Sequence, residues 1–357
     1  MKNKKSLLFW GELPPTVYHG ISISNQRILS SLESGFNLYK VEDNTSFGGV
    51  VWSLFSFILS IIKLVYFSCK DIKIYYHNLP MSYLGLWKVY LSILLVKFFS
   101  PKAKVVSHLH RGDFLSFIEY PRNKKLFINF VNRADIVLVL SNTAKEELIN
   151  SGLIFNSKVE VLHNSVSIIA DNADIIKSVS ADFTKSSFYC LCNYIPTKRI
   201  HNLVEIVNAI PLSRVFFNGA ASNDSYMQRL DTLNENSVCQ FNGVVNGAEK
   251  ERLLRESKAL VLPSLNEGMP LVILESLAQA TPVICYDIGF ISDYLGENYP
   301  GLVKVLTDSA LKKKIQWMNS LPNEEYLALR KLSFELFWDN FEVNQINRTV
   351  LTIFNRP

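Results

Sequence analysis

Short apolar runs rich in β-branched and aromatic residues alternate along the chain with longer segments whose apolar residues recur at helical spacing. In the first half the predicted strands are Ser6–Trp10, Ile72–Tyr76, Lys104–His108, Ile136–Leu140 and Val159–Leu162. The pattern restarts with the predicted strands Phe188–Cys192, Arg214–Asn218, Val238–Phe241, Ala259–Pro263 and Val283–Tyr286. Such alternation is typical of parallel sheets covered by helices. The sequence therefore predicts an α/β fold with two consecutive doubly wound, Rossmann-like domains that face each other across a cleft.

A polar stretch separates the two halves. Residues 168–187 are rich in Asp, Ser and Lys and resemble a linker. We therefore expect an amino-terminal domain over residues 1–168 and a second domain over 186–339, with a helix in 340–357 that crosses back onto the first. Ligands of doubly wound sheets bind beyond the carboxyl ends of the strands, so the candidate chemistry is expected there.

Two long apolar segments, Val50–Phe67 and Leu84–Phe99, lie in the first half. Each is shorter than the roughly 20 residues of a membrane-spanning helix, and each contains lysine, namely Lys63, Lys88 and Lys97. One interpretation is two helices buried against the sheet. The other is a pair of interfacial helices whose lysines reach lipid headgroups. We favour a combination, with one face on the sheet and the other on the membrane.

The charge is distributed unevenly between the halves. Residues 1–168 contain 19 Lys and Arg against 11 Asp and Glu, a net +8, whereas the remainder has 18 against 21, a net −3. The surplus indicates an anionic partner, such as headgroups or a phosphorylated substrate, or reflects composition alone. The five cysteines form no CxxC pair, which is typical of a reduced cytosolic protein. We expect a cytoplasmic protein, peripheral on the inner face of the plasma membrane, that binds no nucleic acid.

The most informative segment is Leu262–Ile284, which contains two carboxylates, Glu267 and Glu275. A helix is predicted to begin near Pro270, so that Glu267 lies on the loop entering the helix and Glu275 lies inside it. The backbone amides around Gly268–Leu271 then point from a positive helix end toward ligand oxygens. This arrangement suits one carboxylate at a reacting sugar and the other at a nucleotide ribose.

Several other chemistries lack their expected motifs. No G-x-G-x-x-G follows the first predicted strand, and no Walker lysine loop is present, which disfavours nicotinamide and P-loop enzymes. There is also no convincing Asp-x-Asp after a strand, which argues against the single-domain, metal-dependent class of sugar transferases. No metal site is expected.

The Glu-x7-Glu phrase, with Pro-Ser before it and Ala-Gln-Ala-Thr-Pro-Val-Ile after it, resembles that of retaining GT-B glycosyltransferases of glycosyltransferase family 4. The resemblance implies that Glu267 acts at the donor sugar and that Glu275 holds the ribose. It also places Gly268, Met269 and Leu271 among the donor-binding positions.

In the first half, the loop Pro14–Gly20 resembles the family's loop at the donor phosphates, with His19 and Gly20 where two glycines are usual. His19 is either an ordinary loop histidine or a general base. The segment Val105–Asp113 resembles the strand end that carries the family's sugar-contacting histidine, which implies this role for His110 and a structural role for His108. Asp113 or Arg111 binds the acceptor, or the two residues pair with each other.

In the second half, Leu191–Lys198 resembles the segment in which an arginine and a lysine grip the donor diphosphate. Lys198 is kept, whereas Asn193 stands at the arginine position and Arg199 replaces a frequent glycine. Arg199 either restores the missing guanidinium or is a solvated surface residue. Val244, in Phe241-Asn-Gly-Val244, resembles part of the turn that binds the nucleotide base.

The function implied is metal-independent, retaining transfer of a sugar from a nucleotide-sugar donor, with no further cofactor. UDP-sugar is favoured, and GDP-sugar is next. The acceptor implied by analogy with the family is a glycan linked to a polyprenol, of bacterial O-antigen, capsule or exopolysaccharide biosynthesis. Two alternatives remain: a sugar-nucleotide 2-epimerase, which needs no acceptor, and a non-catalytic, membrane-associated partner subunit suggested by Asn193.

Overall fold

The computed structural model describes residues 4–43, 50–180, 187–211 and 213–356. The chain divides into two compact units, Met1–Asn164 with Val343–Pro357, and Ser165–Glu342. Each unit contains, among the described residues, one six-stranded parallel sheet. The predicted α/β fold with two doubly wound units is therefore confirmed.

The strands of the first unit are β1 Lys5–Gly11, β2 Phe36–Glu42, β3 Ile74–Asn78, β4 Lys104–His108, β5 Ile136–Val139 and β6 Val159–Val161. Those of the second unit are β7 Ser187–Leu191, β8 Arg214–Asn218, β9 Cys239–Asn242, β10 Leu260–Leu262, β11 Val283–Tyr286 and β12 Leu302–Val303. The sequence did not predict β2 and β12, which lie at sheet edges. An edge strand has one neighbour, so its pattern mixes polar and apolar residues more freely, as in the partly exposed β2.

Before residue 165, the α-helices of the first unit are α1 Gly20–Leu32, α2 Val50–Ser68, α3 Tyr83–Phe99, α4 Phe114–Ile118, α5 Pro121–Val131 and α6 Asn142–Asn150. The following helices are α7 Asn172–Ser180, α8 Ile200–Asn208, α9 Asp224–Leu233, α10 Gly247–Glu256, α11 Leu271–Ala278, α12 Ile291–Leu295, α13 Asp308–Ser320, α14 Asn323–Asn340 and α15 Val343–Asn355. Within the stretch predicted as a linker, α7 is a mostly exposed helix anchored by the buried Ile175, which explains its polar composition.

The strand order identifies where each sheet changes direction. The second unit has the order β9-β8-β7-β10-β11-β12, which is the 3-2-1-4-5-6 order of dinucleotide-binding sheets. Its switch point lies between β7 and β10. The first unit has the order β2-β1-β3-β4-β5-β6, with its switch point between β1 and β3. Ligands of such sheets bind beyond the carboxyl ends of the strands at these points, so the loops after β1, β3, β7 and β10 are the candidate positions.

The carboxyl-terminal helix α15 packs in the first unit. Its Ile346, Val350 and Phe354 lie in a buried cluster with Phe9 of β1, and the Phe354 ring stands edge-on to the ring of Tyr76 on β3 at 5.4 Å. The helix α15 therefore covers part of one face of the first sheet.

The helices α2 and α3 pack against each other and the sheet. One face of each helix is buried, through residues such as Leu64, Leu86 and Ile93. The opposite faces expose large apolar side chains, namely Trp52, Leu54, Phe55, Ile58, Leu59, Ile62 and Tyr66 of α2, and Leu84, Trp87, Leu91, Leu94, Phe98 and Phe99 of α3. We call these exposed side chains the α2–α3 surface. Among the described residues, no helix has the length and apolar character needed to span a membrane.

Candidate active site

The loop after β10 carries Glu267 at the switch point of the second unit. The Glu267 carboxylate accepts hydrogen bonds from Lys198 Nζ at 2.7 Å and from Ser264 Oγ at 2.5 Å, and its side chain is 12% exposed. Lys198 follows β7, the strand adjacent to β10, which is why residues 69 positions apart can meet. A carboxylate and an ammonium group thus lie together where this fold binds ligands.

Gly289 holds the next loop against Glu267. Its backbone has φ +57°, and a Cβ atom at this position would lie 2.1 Å from the carbonyl oxygen of Glu267. No side chain fits at that distance, so only glycine permits this approach of the loop after β11. The sequence analysis did not single out Gly289, because the contact depends on two loops that are distant in sequence.

Glu275 lies inside α11, as predicted, and Pro270 is the residue that precedes the first helical turn. Its carboxylate accepts a hydrogen bond from Lys250 Nζ of α10 at 2.8 Å. Lys250 was missed, since nothing in the local pattern of α10 distinguishes it from the neighbouring charged residues. The first amides of a helix have no acceptor within it, so the start of α11 presents donors beside Gly268, Met269 and Leu271. The side chains of Met269 and Leu271 are buried.

Arg199, which follows the segment that resembles the family's diphosphate site, has hydrogen-bond partners within the second unit. Arg199 has the left-handed backbone of a glycine position, with φ +55°, but its Nη2 donates to Asp308 Oδ1 at 2.5 Å and its Nε to Asn202 Oδ1 at 3.3 Å. The guanidinium also lies 5.9 Å from the ring centre of Tyr286. The guanidinium of Arg199 is therefore paired within the second unit, and we favour a structural role for it; that it replaces the missing arginine stays a prediction.

Two further positions of the second unit lie on turns at the carboxyl ends of strands. Asn193, after β7, accepts a hydrogen bond from the Ala220 amide at 3.3 Å and is exposed. Val244 is exposed after β9. The turn before it is held by Tyr194, whose hydroxyl donates to the carbonyl of Asn242 at 2.5 Å. Tyr194 was missed as a positioning residue.

His110 lies beyond the carboxyl end of β4 in the first unit, beside a cavity of about 370 Å³. The cavity is lined by residues from the ends of β1 and β3, by the start of α3 and by His110 and Arg111. The ring of His110 lies against that of His108, 3.9 Å between centres and tilted by 37°. Burial, followed by the charges of His19 and Arg27, lowers the pKa of His110 to about 3. The imidazole is therefore neutral at physiological pH.

The other two predicted histidines of the first unit, His108 and His19, bond to neighbouring residues. His108 shares a 2.9 Å hydrogen bond with the hydroxyl of Tyr76, in agreement with its predicted structural role. His19 precedes Gly20 at the start of α1, where its Nδ1 accepts from the Ser22 amide at 3.3 Å and its Nε2 lies 2.8 Å from Glu12. With both ring nitrogens engaged, His19 serves as a helix cap, and the structure favours the ordinary loop histidine over the general base.

Arg111 and Asp113 form an ion pair with each other, which is one of the two alternatives that the sequence analysis gave for them. Arg111 Nε donates to Asp113 Oδ1 at 2.8 Å and Nη2 to Oδ2 at 2.5 Å. No group of three or more His, Cys, Asp or Glu side chains converges in a metal-binding arrangement within the described residues. The candidate chemistry thus consists of two sets: the carboxylate–lysine pairs of the second unit, and neutral His110 with its cavity in the first.

The family model that matches this chain lies within the second unit. Residues 171–331 match the family model described as glycosyl transferases group 1. The chain is 28% identical over 223 residues to a Bacillus subtilis protein named as a teichuronic acid biosynthesis glycosyltransferase, a match that covers 60% of this chain and 55% of that protein. It is 26% identical over 219 residues to the O-antigen chain mannosyltransferase of Salmonella typhimurium, covering 59% and 57% respectively. The chain thus spans little more than half the length of these curated relatives.

Solved structures match over 83% to 98% of this chain. Sucrose-phosphate synthase from Thermosynechococcus elongatus has a TM-score of 0.76 at 14% identity, covering 98% of both chains. The Anabaena protein HepE in complex with UDP-glucose has a TM-score of 0.73 at 17% identity, covering 98% of this chain and 99% of the other. TarM from S. aureus has a TM-score of 0.64 at 19% identity, covering 83% and 59%. The shared architecture is the GT-B fold.

Proposed function

We propose that this protein is a retaining glycosyltransferase that moves a sugar from a nucleotide-sugar donor, preferentially a UDP-sugar, to a glycan acceptor. The observation that carries the proposal is the pair of carboxylate–lysine contacts, Glu267 with Lys198 and Glu275 with Lys250, beyond the sheet of the second unit. Both pairs lie in the segment that matches the glycosyl transferases group 1 model. The solved complex of HepE with UDP-glucose, which has the same fold, supports the donor class.

The proposed reaction uses these groups in different ways. The bond between the anomeric carbon and the diphosphate oxygen breaks, and both electrons leave with the nucleoside diphosphate. The acceptor hydroxyl oxygen bonds to the same face of that carbon, and its proton passes to the departing phosphate. Lys198 stabilises the charge that develops on the diphosphate, while Glu267 orients the sugar hydroxyls and stabilises the positive charge of the sugar ring. Glu275 binds the nucleotide ribose, and His110 contacts the donor sugar.

The acceptor proposed is a polyprenol-linked glycan of bacterial surface polysaccharide biosynthesis. The names of the two curated relatives, which refer to teichuronic acid and to the O-antigen chain, support this class. The cavity beside His110 opens next to the start of α3, since Ser82, Gly85 and Lys88 line it. A lipid-linked glycan could reach this cavity from a bilayer placed against the α2–α3 surface.

We further propose that the first unit docks on an anionic membrane through the α2–α3 surface. The apolar side chains supply hydrophobic contact, with Phe98 78% exposed, and the net +8 of residues 1–168 supplies attraction to anionic headgroups. Lys63 is exposed on α2. Lys88 and Lys97, which the sequence interpretation directed to headgroups, lie instead 3.9 Å from Asp43 and 3.3 Å from Asp135.

The membrane proposal predicts binding to phosphatidylglycerol-containing vesicles that weakens as salt is raised, because exposed charges are screened. The double variant Ile62→Glu, Phe98→Glu should bind at least about tenfold more weakly, since it places two charges in the apolar contact. Vesicle co-sedimentation measures the effect. Val305→Glu, which changes an exposed valine of the second unit, is the matched control. Equal partition to neutral and anionic vesicles at low salt, or undiminished binding of the double variant, would contradict the proposal.

A thermal-shift screen of nucleotides tests the donor class. At a concentration of 100 Kd, a selective ligand stabilises the state that it binds by about 2.7 kcal/mol. We expect UDP to raise the melting temperature more than GDP, to do so equally in excess EDTA, and to lose much of this effect in Glu275→Ala. No shift with any nucleoside diphosphate would oppose the proposal, and loss of the shift in EDTA would oppose its metal-independent form. Incubation with donor alone distinguishes the 2-epimerase, which would release an epimer.

A further inference from the structure

A partly buried polar network adjoins His110 at the switch point of the first unit. Asn78, the last residue of β3, and Asn25 of α1 exchange two amide hydrogen bonds, at 2.7 Å and 2.9 Å between Nδ2 and Oδ1. Asn78 Nδ2 also lies 3.0 Å from His110 Nε2. Three side chains from three separate elements thus form one continuous chain of hydrogen bonds.

The donor and the acceptor in each of these hydrogen bonds follow from the contact between Asn25 and Glu12. Asn25 Nδ2 donates to the backbone carbonyl of Glu12 at 3.0 Å. A carbonyl oxygen only accepts, so the amide of Asn25 must turn its nitrogen toward Glu12. That orientation requires Asn78 to offer its oxygen to Asn25 Nδ2 and the two hydrogens of its nitrogen to Asn25 Oδ1 and to His110. The acceptor in the last bond is therefore His110 Nε2.

A neutral histidine that accepts at Nε2 carries its proton at Nδ1. The His110 ring lies beside the cavity, and within the described residues no protein group bonds to its Nδ1. The buried guanidinium of Arg27, in the same region, further disfavours an imidazolium at His110. His110 thus presents an N–H donor rather than a base.

We propose that Asn78, oriented by Asn25 and the Glu12 carbonyl, is a positioning residue that fixes His110 in the Nδ1–H tautomer, so that His110 donates a hydrogen bond to an oxygen of the donor sugar. The last step rests on the proposed function, whereas the tautomer does not. The close approach of Gly11 supports the fixed orientation of Asn78, because a Cβ at Gly11 would lie 2.6 Å from Asn78 Oδ1.

Nitrogen-15 NMR of the histidine rings in the free protein tests the tautomer directly. Replacement of His110 by alanine assigns its signals. We expect Nδ1 of His110 to show the shift of a protonated nitrogen, like Nδ1 of His163, which lies 2.8 Å from the Leu140 carbonyl and serves as an internal reference. In Asn78→Asp, the carboxylate can only accept, so the proton should move to Nε2 and the pattern should reverse. Asn37→Asp, an exposed change in the same unit, should leave it unchanged.

Activity provides the second readout. Asn78→Asp should lower kcat/KM by about tenfold or more, to the level of His110→Ala, and the double variant should lose little beyond either single one, because both changes remove the same donor. If Asn78→Asp does not fold, Asn78→Ala, which removes the donor to Nε2, should shift part of the His110 population to the Nε2–H tautomer. A His110 protonated at Nε2 in the wild type overturns the proposal irrespective of activity. A correct tautomer with additive kinetic losses overturns only the link to the donor sugar.

Discussion

Replacement of Glu267 by glutamine is expected to reduce turnover by two or more orders of magnitude and to leave nucleotide binding nearly unchanged. The loss corresponds to about 3 kcal/mol in the barrier, since each 1.36 kcal/mol is tenfold in rate. The substituted glutamine would keep the size of the side chain and could still bond to Ser264, but it lacks the charge that stabilises a positive sugar ring. Steady-state kinetics combined with UDP titration separates the two effects.

The control for this substitution is Glu297→Gln, which removes an exposed carboxylate from the same unit. Its turnover should match that of the wild type. Because Glu267 is paired with Lys198 at 2.7 Å, the glutamine variant also releases that lysine. Somewhat tighter diphosphate binding is therefore compatible with the expectation. Near-wild-type turnover in a folded Glu267→Gln protein would remove this residue from the reaction.

Replacement of Lys198 by alanine is expected to weaken UDP binding by about 1.5–3 kcal/mol, the range for hydrogen bonds to charged groups, which is about 10- to 150-fold in Kd. UMP binding should weaken less, because Lys198 is expected to contact the diphosphate. Isothermal titration calorimetry measures both. The expectation follows from the position of Lys198 beside Glu267 at the switch point, where a diphosphate needs positive charge.

The variant Arg199→Gly serves as the comparison for Lys198→Ala, because the two residues are adjacent in the sequence. The guanidinium already bonds to Asp308, and glycine adopts the left-handed backbone at this position without the roughly 1–2 kcal/mol that other residues incur. We expect unchanged UDP affinity and a small change in melting temperature, since loss of the ion pair and relief of the backbone oppose each other. A loss of UDP affinity as large as that of Lys198→Ala would instead support the hypothesis that Arg199 replaces the missing arginine.

The local pattern of the sequence predicted the central strands and the start of the key helix. Strands β4, β8 and β11 have the predicted bounds, because each contains adjacent apolar residues that are mostly buried. Pro270 marks the start of α11, since proline needs no amide partner there. The placement of Glu267 on the loop and Glu275 in the helix followed from that one residue.

The partners of the site residues were decided by the tertiary structure. Glu267 meets Lys198 across 69 positions, Arg199 meets Asp308 across 109, and Asn25 meets Asn78 across 53. Strand order brings such residues together, and it depends on the packing of the whole sheet rather than on any local spacing. The sequence by itself therefore determined which residues carry charge at the strand ends, whereas only the folded sheets decided which charges neutralise each other and which nitrogen of His110 holds its proton.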